Sequence, residues 1–208
     1  MKVAPSVVKK LFFDAVEEAY RYIVENYNRV APRFKVPERK RGEHPFICWS
    51  ESDLRTLIVY YLMQKIKDIG FIHTEIVLKR IGKFKYDGKF QEKLWKEAVD
   101  EALRLKNRKF VAGDIDLAIT PIESDSIPFI LIAEIKYYHY DVKRYGRDPA
   151  KEIEEAYNLL KAFKEIGFTK EIAIVIGDHY YHRTQPSKSK KLEEYAKKHQ
   201  HDIIYLKV

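Results

Sequence analysis

Residues 111–136 read VAGDIDLAITPIESDSIPFILIAEIK, and the two apolar segments within this stretch decide the fold. In residues 111–119 a period of two sends Ile115, Leu117 and Ile119 to one face and Asp114, Asp116 and Ala118 to the other. In residues 129–136 the same rule puts Glu134 and Lys136 together while Ile135 points away into the core. β-Branched side chains mark both segments as strands, Phe110–Thr120 and Ile127–Tyr138. The turn-rich residues 121–126 make the pair a hairpin.

Upstream, Val8, Leu11, Phe12, Ala15, Val16, Ala19, Ile23 and Tyr27 recur at three- and four-residue steps, which predicts a helix over 6–27 with one buried face. Residues 31–45 carry three prolines and the charged run 38–42, and read as a basic linker. Ser50 and Asp53 form a capping box that starts a helix over 51–69. A strand over 71–81 and a helix over 89–105 lead to the hairpin. After it come a helix over 149–166, a strand over 172–176, a polar helix over 187–199 and a last strand over 203–208. This order predicts an α/β fold, a central mixed β-sheet flanked by helices, with an N-terminal helical extension. Residues 1–45 make the helix and linker and 46–208 the core, in one compact domain.

The composition suits a folded globular chain, with 46% hydrophobic residues in a length of 208. No apolar run is long enough for a membrane span, so a cytoplasmic protein without membrane partners is expected. A single cysteine, Cys48, excludes an intramolecular disulfide and a cluster held by several thiolates. Abundant Lys, Glu, Ile and Tyr resemble proteins of hot environments. The formal charge of +8 favours a polyanionic partner.

The charged ends of the two hairpin strands need an explanation, because unpartnered ions on apolar strands cost several kcal/mol each, to order of magnitude. One reading is an ion network in which Lys136 compensates the acids. The other is that Asp116 and Glu134 supply oxygen ligands to Mg²⁺ or Mn²⁺, while Lys136 orients an attacking water or takes its proton.

The run Gly113-Asp-Ile-Asp-Leu117 followed by Ala133-Glu-Ile-Lys136 resembles the PD-(D/E)XK nuclease superfamily, with its restriction-endonuclease-like fold. The resemblance spans roughly residues 50–177. It implies a metal site made by Asp116, Glu134 and the backbone carbonyl of Ile135, with Asp114 as alternate, and metal-dependent hydrolysis of phosphodiesters with DNA ahead of RNA. It also implies an auxiliary carboxylate. Glu51, in the first turn of the capped helix and in phase with Leu54 and Ile58, is preferred over Glu75 in the first strand. Lys143, Arg144, Arg147, Arg183 and Lys188 are the expected phosphate-gripping cations. His179-Tyr-Tyr-His182 and His199-Gln-His201 lack the further Cys/His set that structural zinc needs. The alternatives are a nucleic-acid-binding protein of this fold without turnover, and an assembly module. Homodimerisation is left open.

Overall fold

The computed structural model describes residues 3–30, 50–77, 114–122, 129–138, 148–165 and 167–207. Five helices and five strands are formed by these residues: α1 (Pro5–Val30), α2 (Glu51–Ile66), β1 (Gly70–Val77), β2 (Asp114–Pro121), β3 (Phe129–Tyr138), α3 (Pro149–Glu165), β4 (Thr169–Asp178), α4 (Tyr181–Thr184), α5 (Pro186–Lys198) and β5 (Ile203–Lys207). The linker, the expected helix over 89–105, Cys48 and the cations Lys143, Arg144 and Arg147 lie outside the described residues.

The strands form one mixed sheet in the order β1-β2-β3-β4-β5. β1–β2 and β2–β3 are antiparallel, whereas β3–β4 and β4–β5 are parallel, with α3 and then α4–α5 making the crossovers. The C-terminal ends of β1, β3, β4 and β5 and the N-terminal end of β2 therefore share one edge of the sheet.

Helices cover both faces. On one, α2 lies against β1 and β3, and α1 against β3 and β4. Val8, Phe12, Val16 and Ile23 of α1 and Leu54, Ile58 and Leu62 of α2 are fully enclosed with Leu131, Ala133, Ile135, Ala173 and Val175 of the sheet. The helix expected as an extension is thus half of a core layer. The reason is geometric: α2 alone leaves the inner residues of β4 uncovered. Each of these aliphatic and aromatic side chains contributes roughly 1.5–3 kcal/mol by leaving water. On the other face, Ile153, Leu160 and Phe163 of α3 and Leu192 of α5 pack on Ile132, Ile172, Ile174, Ile176 and Ile203.

The start of α2 follows its sequence signal. Ser50 Oγ accepts the Asp53 N–H at 3.1 Å, and the Asp53 carboxylate accepts the Ser50 N–H at 2.7 Å. β4 runs to Asp178, two residues past the expected end, because Gly177 pairs with Tyr137 and Asp178 with Tyr138 along β3. A Cβ on Gly177 would lie 2.5 Å from the Tyr137 ring, so only glycine admits that ring across β4.

One expectation about faces is corrected. Leu117 and Ile119 pack on the α1–α2 side, but Ile115 joins the opposite cluster. β1 changes with it: Ile72 packs against the cluster that holds Leu117 and Ile119, while Ile76, the partner of Ile115, packs against the cluster that holds Ile115. The switch falls between the pairs Thr74–Leu117 and Ile76–Ile115, at Glu75 and Asp116. Glu75 has φ of +53°, the only positive φ at a non-glycine among the described residues. Strict alternation requires an uninterrupted ladder, and here the ladder breaks on both strands at once.

Candidate functional site

The break in β1–β2 coincides with a parting of β2 from β3. Their pairing covers Leu117–Ala133, Ala118–Ile132 and Ile119–Leu131. Beyond it, the Ile135 N–H donates to Asp116 Oδ2 at 2.7 Å, so a carboxylate takes the place of a strand carbonyl. Asp116 is buried, at 8% exposure.

Glu134 and Lys136 alternate with Ala133, Ile135 and Tyr137, which pack under α1 and α2. They therefore share a face, and Lys136 Nζ lies 2.6 Å from Glu134 Oε1. Glu51 reaches the same place from the first turn of α2, where its Oε2 accepts the Tyr137 N–H at 3.3 Å. Glu51, Asp116, Glu134 and Lys136 all influence one another electrostatically, directly or through Lys136. The structure thus brings together the two expected ligands, the expected lysine and the preferred auxiliary acid. Asp114 begins β2, but its side chain lies outside the described residues.

The alternative auxiliary acid, Glu75, is held by Arg55. Its Oε1 meets Arg55 Nη2, and Arg55 Nη1 lies 3.5 Å from Asp116 Oδ1. Arg55 is a site residue that the sequence reading missed. The available signal was its four-residue step from Glu51, which sets both on one helical face.

Burial, reinforced by Glu134, pushes the Asp116 carboxyl up to about 6 against the opposing pull of Lys136, the Ile135 N–H and Arg55. Burial also raises Glu51, with Asp116 adding to the shift and Lys136 opposing it. For Lys136 burial favours the neutral amine, but Glu134, Glu51 and Asp116 outweigh it and hold the ammonium well above its ordinary value. Four carboxylates, Glu51, Glu75, Asp116 and Glu134, face two cations, Arg55 and Lys136. At the opposite edge of the sheet the charges balance: Lys9 and Lys164 meet Glu171 and Asp202. Of these two clusters, the one where the strands part carries the acid excess.

Arg183 and Lys188 sit in α4 and α5, directly after the C-terminal end of β4 and so on this edge. The Arg183 Nε–H donates to His182 Nε2 at 3.4 Å, and Lys188 Nζ stands 5.0 Å from the centre of the Tyr181 ring. Asp178 holds this segment, with Oδ1 accepting the Tyr181 N–H at 2.7 Å and Oδ2 accepting the Tyr205 hydroxyl. His199 packs against Tyr157 and Tyr195. Among the described residues no group of three or more His, Cys, Asp or Glu side chains is arranged to hold a metal ion. Among them, too, no helix is long and apolar enough to cross a membrane. Comparison of the chain with protein-family models, with curated proteins and with solved structures finds no significant match in any of the three.

Proposed function

We propose that this chain is a metal-dependent nuclease of the PD-(D/E)XK type, with a restriction-endonuclease-like fold and its centre at Asp116, Glu134 and Lys136. The observation that carries this reading is the parting of β2 from β3, which gathers two carboxylates, a third acid and an ammonium at one sheet edge. The donor set suits Mg²⁺ or Mn²⁺: Asp116, Glu134 and the Ile135 carbonyl are hard oxygen ligands of the kind that leave room for water. The excess of acid in this cluster, in a chain of net charge +8, favours the same occupant. Asp116, Glu134 and the Ile135 carbonyl would hold such a cation, which would neutralise charge at a phosphate and lower the pKa of a bound water toward neutrality.

The protein's own groups divide the remaining work. Asp116 is aimed by its bond from the Ile135 N–H to Oδ2, which leaves Oδ1 facing Arg55 Nη1 at 3.5 Å. Lys136, held as an ammonium, donates hydrogen bonds to the water nucleophile or to a phosphate oxygen, which favours an orienting role over that of a base. Glu51 accepts from the Tyr137 N–H and presents a carboxylate on the side of α2. Arg183 and Lys188, with Lys143, Arg144 and Arg147, grip the flanking phosphates. DNA is the favoured substrate and RNA the second.

The test is cleavage of single-stranded, duplex and branched DNA and RNA in Mg²⁺ or Mn²⁺, with a chelator control. The reading predicts cleavage that the chelator abolishes and that Lys136→Ala lowers by at least about a hundredfold. Absence of metal-stimulated cleavage on every substrate, together with a large drop in melting temperature in Lys136→Ala, would favour the ion-network reading.

A further inference from the structure

Arg55 stands between two acids that hold it unequally. Its Nη2 is 2.5 Å from Glu75 Oε1, whereas its Nη1 is 3.5 Å from Asp116 Oδ1, the oxygen not used by the Ile135 N–H. Glu75 is 62% exposed along its side chain and Asp116 only 11%, so the guanidinium spans from the solvent side to the buried acid. Its base is fixed, since Arg55 follows the enclosed Leu54 and precedes the enclosed Ile58 by three residues on α2. The anchor occupies strained backbone: Glu75 adopts the left-handed conformation inside a strand. A surface acid gains nothing from that conformation by itself. What it does here is put Glu75 opposite Asp116, at the point where both strands change faces.

The geometry points to Arg55 as an exchangeable arm of the site: anchored by Glu75, it neutralises Asp116 before a divalent cation binds and turns to a substrate phosphate once the cation takes Asp116. This rests on the metal-dependent reading of the centre. A divalent cation beside Asp116 repels the guanidinium, and the long Asp116 contact is the weaker of its two holds. A planar group with five donors, held at Nη2 by Glu75, keeps donors with which to meet a phosphate bidentately. The arm thus opposes cation binding and favours the reaction, two effects of opposite sign from one residue.

The opposite signs give the test. Arg55→Met keeps the stem and removes the charge, and Arg55→Lys keeps the charge and removes the fork. Mn²⁺ alone is titrated into wild type and both variants by calorimetry, and kcat is measured on the substrate that wild type cleaves best. Arg55→Met is expected to bind Mn²⁺ roughly tenfold more tightly yet to turn over about a hundredfold more slowly. Arg55→Lys is expected to bind Mn²⁺ as wild type does, with an intermediate kcat. Mn²⁺ binding to wild type that Arg55→Met leaves unchanged or weakens overturns the role of Arg55 while leaving the metal centre standing. Failure of wild type to bind Mn²⁺ overturns the metal-dependent reading itself and this inference with it.

Discussion

Asp116 accepts one backbone N–H and lies beside two cations, yet its carboxyl holds a proton up to about pH 6, because burial and Glu134 outweigh those partners. The folded protein therefore binds that proton more tightly than the unfolded chain does. The associated stability is full below the ordinary carboxylate range and is lost as pH rises through about 6. In chelator, the melting temperature is expected to fall from pH 5 to pH 7. Asp116→Asn, which keeps an oxygen for the Ile135 N–H, is expected to lack that fall and to be more stable at pH 7 by about 3 kcal/mol. Thermal melts at the two pH values decide it. A lower melting point for Asp116→Asn at pH 7 would mean that the charge serves the fold. Mg²⁺ is expected to raise the wild-type melting temperature at pH 7 and to leave Asp116→Asn nearly unmoved.

At the scale of elements, the site exists because β2 pairs with β3 from Leu117 onward and not at Asp116, while β3 continues along β4 to Tyr138. Gly177 is part of that continuation, since the Tyr137 ring lies where its Cβ would be. Gly177→Ala is expected to displace Tyr137, disturb the N–H that binds Glu51, and cost about 1–3 kcal/mol in denaturant unfolding. An unchanged midpoint would mean that the ring moves without resistance. The alternation of Glu134 and Lys136 was legible in the sequence because β3 is a central strand, paired on both sides through its middle. The face of Ile115 was not, because periodicity presumes a continuous ladder and this one breaks at Glu75. Nor was Arg55, whose partners lie on β1 and β2, since local spacing fixes which residues share a helix face but not which strand they meet. The four-residue α4 is too short for any period, and its hold is the Asp178 carboxylate rather than an apolar stripe.

At the scale of the molecule, α1 and α2 together close one face of the sheet, and the site sits where the layer they form meets the strand ends. Phe12→Ala is therefore expected to cost about 3–5 kcal/mol although Phe12 lies far along the chain from the motif. A cost under about 1 kcal/mol would return α1 to the status of an appendage. The net charge of +8 acts over the whole surface, whereas the acid excess is local, so binding and chemistry separate by mutation. Arg183→Ala with Lys188→Ala is expected to weaken nucleic-acid binding and flatten its dependence on salt, with cleavage at saturating substrate retained. The central claim, that the strand-parting edge is a catalytic centre, is tested most directly by comparing Asp116→Asn with wild type on one cleavable DNA in Mg²⁺, measuring cleavage and binding in the same samples. Cleavage by Asp116→Asn is expected to fall by at least about a hundredfold with DNA affinity kept or increased, since a negative charge near phosphate is gone. Cleavage at the wild-type rate in Asp116→Asn would contradict it.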